Sequence, residues 1–199
     1  LKVLFVFLIQ LVSAIKRCSM IDKSVFSFTR YGVTLEPLKE GQAEMVRHWR
    51  NTPRIRELML DTDLITEEQQ RSWFQKVWSD PKQIYFLIYF RAQPIGVASL
   101  VNIDTDQATA EPGMYIYDEK YQGNILPFSA AFALNDIAFE ILKLTCLHGK
   151  IFESNKASLR FHSACGYQET GIVDTLRTLH LRQENYLPAR QKLTRFMRF

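Results

Sequence analysis

The stretch from 113 to 142 limits what this chain can fold into more than any other. Gly113-Met114-Tyr115-Ile116-Tyr117 is an apolar and aromatic run that reads as a strand, and the charged Asp118-Glu119-Lys120 closes it in a turn. Tyr121-Gln122-Gly123-Asn124 follows as a tight loop. Residues 127–142 are then apolar nearly all round, with Ser129, Asp136, Glu140 and Lys143 in a polar stripe at helical spacing. A helix of that kind packs on several sides at once. Its N-terminus, fed by the loop, presents free backbone N–H groups and the positive end of the helix dipole, which suits an anion such as a pyrophosphate. The same pattern also describes a plain strand-to-helix turn in an α/β domain, so the rest of the chain decides between the two.

The 199 residues suit one domain, and 47% hydrophobic content is ample for a core. A net charge of +4 and a pI near 9.0 fit anionic small molecules and give no sign of a nucleic-acid partner. Cys18, Cys146 and Cys165 show no CxxC or metal spacing, which predicts a reducing, cytoplasmic setting. His48, His148, His162 and His180 are too scattered for a zinc site, so no metal is expected. There is no nucleophilic triad and no Gly-rich kinase loop.

Residues 1–19 form an apolar extension. Its run to Ile15 has the length of a signal-peptide core and is short for a membrane span, and Lys16-Arg17 follows where a small-residue cleavage site would stand. Met20 precedes the first domain-like segment. The extension is expected to lie upstream of the natural start or to be dispensable, with no stable membrane insertion.

Residues 26–187 carry the folded domain. Residues 26–38 read as a first hairpin or strand, with Val33, Leu35 and Leu38 alternating. Residues 41–51 form a helix that stops at Asn51-Thr52-Pro53. Thr66-Glu67-Glu68-Gln69 is a capping box that starts a second helix, whose buried face is Trp73, Phe74, Val77 and Trp78. Strands at 84–90 and 95–103 are joined by the hairpin signal Arg91-Ala92-Gln93-Pro94. A third strand covers 108–117, and Pro112-Gly113 is expected to interrupt its pairing and let a ligand approach the backbone. After the buried helix come a strand at 147–152, a short helix at 155–165 capped by Asn155 and ended by Gly166, and closing strands at 167–173 and 178–186. Residues 188–199 read as a basic tail. An exposed strand near the C-terminus is compatible with a homodimer.

Asn155-Lys156-Ala157-Ser158-Leu159-Arg160-Phe161-His162-Ser163-Ala164-Cys165-Gly166-Tyr167 resembles the Asn-x-Ala-Ser helix, ending in Gly-Phe or Gly-Tyr, of the GNAT superfamily of acetyl-CoA-dependent N-acetyltransferases. That resemblance implies a mixed α/β fold with a mostly antiparallel central sheet flanked by helices, and acetyl-CoA as acyl donor. A narrower likeness runs from about Tyr31 to Gly171. His48-Trp49-Arg50-Asn51, Ile55-Arg56-Glu57-Leu58-Met59, Ile65-Thr66-Glu67-Glu68, Trp73-Phe74, Tyr85-Phe86 and Pro94-Ile95-Gly96-Val97 resemble the nucleotide-sugar acetyltransferases of the pseudaminic acid pathway. Those enzymes acetylate the 4-amino group of a UDP-linked 4-amino-4,6-dideoxy sugar destined for flagellin or surface polysaccharide. In the family's phosphate loop, Gln122 fits the pattern, while Ile125 and Pro127 occupy positions usually held by small residues. His162 stands where the second motif usually has tyrosine.

The resemblance implies that Gln122, Gly123, Asn124, Ile125 and Leu126 cradle the pyrophosphate, and that Met114, Tyr115, Ile116, Asn155 and Ser158 hold the pantetheine arm. Acetyl transfer needs the amine to lose a proton and the leaving thiolate to gain one or be stabilised. Glu111, beside Pro112-Gly113, is the candidate base, and an exposed strand-end carboxylate is its plain alternative. His162 is the candidate acid, with a reference pKa near 6.5 that lets it donate or accept a proton. On the acceptor side, Arg50 offers a guanidinium fork for a diphosphate or carboxylate. Met59, by resemblance, and Tyr85 line the pocket for the nucleotide-linked amino sugar. Two other readings stand beside direct transfer to an amino-sugar nucleotide: acetylation of a protein N-terminus or small amine, and a GNAT-like module that has lost catalysis.

Overall fold

A computed structural model describes residues 21–197; the expected extension at 1–19 lies outside the described residues. Eight strands make one sheet in the order β1-β2-β3-β4-β5-β6-β8-β7. They are β1 (Phe28–Arg30), β2 (Val33–Pro37), β3 (Ile84–Phe90), β4 (Gln93–Asp104), β5 (Thr109–Ile116), β6 (Cys146–Phe152), β7 (Gln168–Val173) and β8 (Leu176–Arg182). The helices are α1 (Ala43–Asn51), α2 (Pro53–Arg56), α3 (Glu67–Ser79), α4 (Leu126–Asp136), α5 (Lys156–Ala164) and α6 (Gln183–Thr194). α4 continues into a π-helical stretch, Ile137–Ile141. The mixed α/β, mostly antiparallel architecture expected from the sequence is the one observed.

Alternation along the strands gives the sheet two apolar faces. Ile84, Phe86, Ile88, Ala98 and Leu100 pack with α4 in the main core. Leu87 and Val97, of opposite parity, pack with Val46 and Trp49 of α1 and Phe74 of α3. The capping box forms as its spacing predicts: Thr66 Oγ1 accepts from the Gln69 amide at 3.2 Å, and Gln69 Oε1 accepts from the Thr66 amide at 2.8 Å.

The feature that positions the site is the junction of β5 and β6. Every other neighbouring pair is antiparallel, but these two run parallel, and their register holds only Thr109↔Cys146 and Ala110↔Leu147. Beyond that the strands part. β5 remains paired to β4 and β6 to β8, leaving a wedge between them.

Two expectations are corrected here. Pairing of β5 with β4 runs through Leu100↔Pro112 and Ser99↔Gly113, and the irregularity lies between Val101 and Asp104 instead. Pro112 is tolerated because the side that lacks its N–H is not needed for the β4 ladder. The last strand ends at Arg182, and Gln183–Thr194, including Pro188, is a helix rather than the end of a strand followed by a tail. Tyr186 explains the change. Its ring is 1% exposed against Phe132 and Phe139, and its hydroxyl donates to Asp136 Oδ1 at 2.6 Å and to the Phe132 carbonyl at 3.0 Å.

Candidate active site

A cavity of about 530 Å³ fills the wedge between β5 and β6. Met114, Tyr115 and Ile116 of β5 line one side, Gln122 the loop end, and Asn155, Ser158 and His162 the side of α5. Those seven predicted residues are therefore brought together by the parting of the strands. Gln122 Nε2 donates to the Ile116 carbonyl at 2.7 Å and ties the loop to β5. Asn155 Oδ1 accepts from the Ser158 amide at 3.0 Å, so its capping role is present whatever else it does.

The loop residues divide. Gly123, Asn124 and Ile125 lead directly into the N-terminus of α4, the kind of helix start that suits a pyrophosphate despite Ile125 and Pro127. Leu126 does not fit the expectation. Its side chain is 3% exposed in the core, and its amide already donates to Asn124 Oδ1 at 2.8 Å.

Within the cavity, His162 Nδ1 lies 2.8 Å from the Ser158 carbonyl oxygen. A carbonyl only accepts, so this contact is bonding when Nδ1 carries the hydrogen, which leaves Nε2 as the acceptor. The ring packs edge-on to Tyr167 at 4.9 Å, and burial pushes its pKa below the ordinary value. Burial thus favours the neutral imidazole, with Nε2 free to accept. Tyr167 also lines the cavity, and burial drives its phenol pKa upward, so it stays protonated. It follows Gly166 in the motif, and that position was the signal available for it. Cys165 lines the same space, but burial pushes its thiol up to about 12. Glu111 is not among the residues lining either cavity described here. Its carboxylate faces Lys150 of β6 at 3.9 Å, with both side chains partly exposed.

A second cavity of about 390 Å³ lies on the α1–α3 side and contains Arg50 and Tyr85 among its lining. Met59 is not with them; it lines the larger cavity. Trp73 stands edge-on to Tyr85 at 4.9 Å, giving the smaller cavity an aromatic wall. Tyr115 borders both cavities. Its hydroxyl is buried without a partner, and so is Arg50 Nη1. The other nitrogen, Arg50 Nη2, donates to the Asp61 carbonyl. Asn51 grips the same connecting segment, donating to the Ile65 carbonyl at 2.8 Å and accepting from the Ile65 amide at 2.9 Å. Arg54 bonds the Tyr117 carbonyl and pairs with Glu119 at 2.8 Å.

A parted parallel strand pair, with one cavity beside it reaching the loop that precedes α4 and a second cavity sharing Tyr115, is the layout of an acyl-CoA-dependent transferase. Residues 33–168 match the acetyltransferase (GNAT) domain family, and the chain belongs to it. It is an acetyl-CoA-dependent N-acetyltransferase rather than a module without catalysis. It is similar to acetyltransferase PseH of Campylobacter jejuni, with 33% identity over 129 residues, 63% of this chain and 76% of that protein. Among solved structures, the apo form of FdhC, a nucleotide-linked sugar GNAT, superposes with TM-score 0.74 at 18% identity, covering 87% of this chain and 99% of that one. PseH of Campylobacter jejuni in complex with acetyl coenzyme A gives TM-score 0.60 at 23% identity, with 76% and 99% covered. Among the described residues no helix is long and apolar enough to cross a membrane, and no group of side chains is placed to hold a metal.

Proposed function

We propose that the acceptor is the amino group of a nucleotide-linked amino sugar, of the UDP-4-amino-4,6-dideoxy type, and that the enzyme acts in the cytoplasm by direct transfer. The observation that carries this reading is the smaller cavity: an aromatic wall, an unpaired guanidinium nitrogen for a diphosphate, and Tyr115, which it shares with the acyl-donor cavity. The similarity to PseH supports it.

In this mechanism the neutral amine attacks the thioester carbonyl carbon, and the C–S bond breaks as the amide forms. His162 Nε2 takes the proton the amine loses, directly or through water, and the imidazolium returns it to the departing thiolate. The Met114 amide, which alternation turns away from β4, stabilises the oxygen that gains charge. Tyr167, kept protonated by burial, donates a hydrogen bond toward the sulfur. Glu111, 3.9 Å from Lys150, serves as a base that takes a proton through water. Asn155 and Ser158 hold the pantetheine arm, and Met59 contacts the sugar from the donor side. A covalent relay through Cys165 does not fit, because a thiol titrating near 12 is almost wholly protonated at neutral pH.

The test is to incubate the protein with acetyl-CoA and a UDP-4-amino-4,6-dideoxy sugar and look for the acetylated product by mass spectrometry. Absence of product from protein that binds acetyl-CoA would sink the reading. Asp61 and Asp63 beside the smaller cavity favour a second reading, a cationic small amine. Competition separates the two, since UDP should inhibit only if the nucleotide is recognised.

A further inference from the structure

Asn135 sits on the most apolar helix of the molecule, off the stripe formed by Ser129, Asp136 and Glu140, and is 2% exposed. Its carboxamide makes no hydrogen bond to any described residue, and Nδ2 is fully buried without a partner. Such a group costs about 1–3 kcal/mol relative to a satisfied or apolar one. The same side chain lines the acyl-donor cavity, on the helix face that also presents Pro127 and Ala131. Those positions are spaced by one turn from the phosphate-loop end inward, so Asn135 lies about two turns deeper than the pyrophosphate site.

We infer that Asn135 is a binding residue for the amide and thioester arm of the acyl donor. A carboxamide offers both a donor and an acceptor, which matches a pantetheine amide in two points and an acyl carbonyl in one. Pairing with the arm satisfies in the complex what the free protein leaves unsatisfied. The other α4 residues that line the cavity are Pro127, Ala131 and Leu134, whose side chains cannot read a polar group. Nothing else on α4 explains an amide at a position where leucine has the same branching.

Asn135→Leu gives a sharp test, because it removes the polar group and leaves little cavity. Thermal unfolding of the free variant should occur at the same temperature as wild type or higher, since an unpaired buried group has been deleted. Calorimetric titration should show acetyl-CoA binding about five- to tenfold weaker. Binding of adenosine 3′,5′-bisphosphate, which lacks the arm, should be unchanged. Undiminished acetyl-CoA affinity in Asn135→Leu overturns the inference. So does an equal loss for the arm-less nucleotide, or a variant less stable than wild type with normal affinity, since either assigns Asn135 a structural role. The acceptor plays no part in these measurements, so a wrong acceptor assignment leaves them intact.

Discussion

His162 Nδ1 lies 2.8 Å from the carbonyl oxygen of Ser158, one turn earlier in α5, and this contact fixes which nitrogen faces the cavity. Burial places the pKa below its ordinary 6.5, because the charged form loses hydration that the single carbonyl does not replace. The neutral form is the active one if His162 takes the amine proton. The plateau of kcat/KM should therefore extend below pH 6.5 on the acid side before falling. His162→Gln should lower kcat by about 10²- to 10³-fold with acetyl-CoA affinity unchanged. An undiminished kcat would remove His162 from the chemistry. The folding linkage has the same sign: the depressed group favours the folded state above pH 6.5, and that contribution is lost as pH falls below it.

Arg50 has one nitrogen on the Asp61 carbonyl and one buried without a partner beside the smaller cavity. Arg50→Lys keeps a charge but loses the fork, and is expected to raise the acceptor KM by about tenfold. Acetyl-CoA binding, measured by calorimetry, should not move, since Arg50 does not line the donor cavity. A matching loss for acetyl-CoA would show that the two cavities do not divide the substrates in this way.

Cys165→Ala tests direct transfer. The thiol is 1% exposed with its pKa pushed up to about 12, so the variant should retain activity and the wild type should show no acetyl-enzyme in a rapid quench. An acetylated enzyme that forms without acceptor, and is lost in the variant, would establish a two-step mechanism.

Asp136 is fully buried and accepts from Arg30 and Arg190, each at 2.6 Å, from Tyr31 at 2.7 Å and from Tyr186 at 2.6 Å. It joins β1, α4 and α6. Asp136→Ala would leave two guanidinium groups facing an apolar helix and is expected to cost about 3–5 kcal/mol, read by urea unfolding. A change under 1 kcal/mol would mean that Glu140, 2.8 Å from Arg30 and 2.7 Å from Arg190, holds the cluster alone.

The elements that could be read along the chain are those with local causes. Thr66 caps its own helix three residues on, Asn155 caps α5, and Gly166 takes φ +97° where α5 ends and where a Cβ would stand 2.6 Å from the Asn185 carbonyl oxygen. The motif around Asn155–Tyr167 likewise lies on one helix, so its cavity-facing members were legible together. Residues whose meaning depends on distant partners were not. Alternation extended the last strand to Tyr186, because nothing nearby announces that its hydroxyl meets Asp136, 50 residues earlier. Glu111 looked central in sequence because it adjoins Pro112-Gly113, yet it lines neither cavity and its carboxylate stands 3.9 Å from Lys150 on β6, a neighbour that only the packing of β5 beside β6 supplies.

The sequence by itself determined the order of strands and main helices as far as β8, the caps at Thr66 and Asn155, and the family, because each rests on neighbours within a few residues. Only the tertiary structure decided that β5 and β6 part after two paired residues, that Tyr115 walls both cavities, and that Asn135 is left unpaired beside the larger one. Those facts come from how separate elements pack. A carboxamide or a phenol has no partner, or has one, only once the surrounding elements have closed around it.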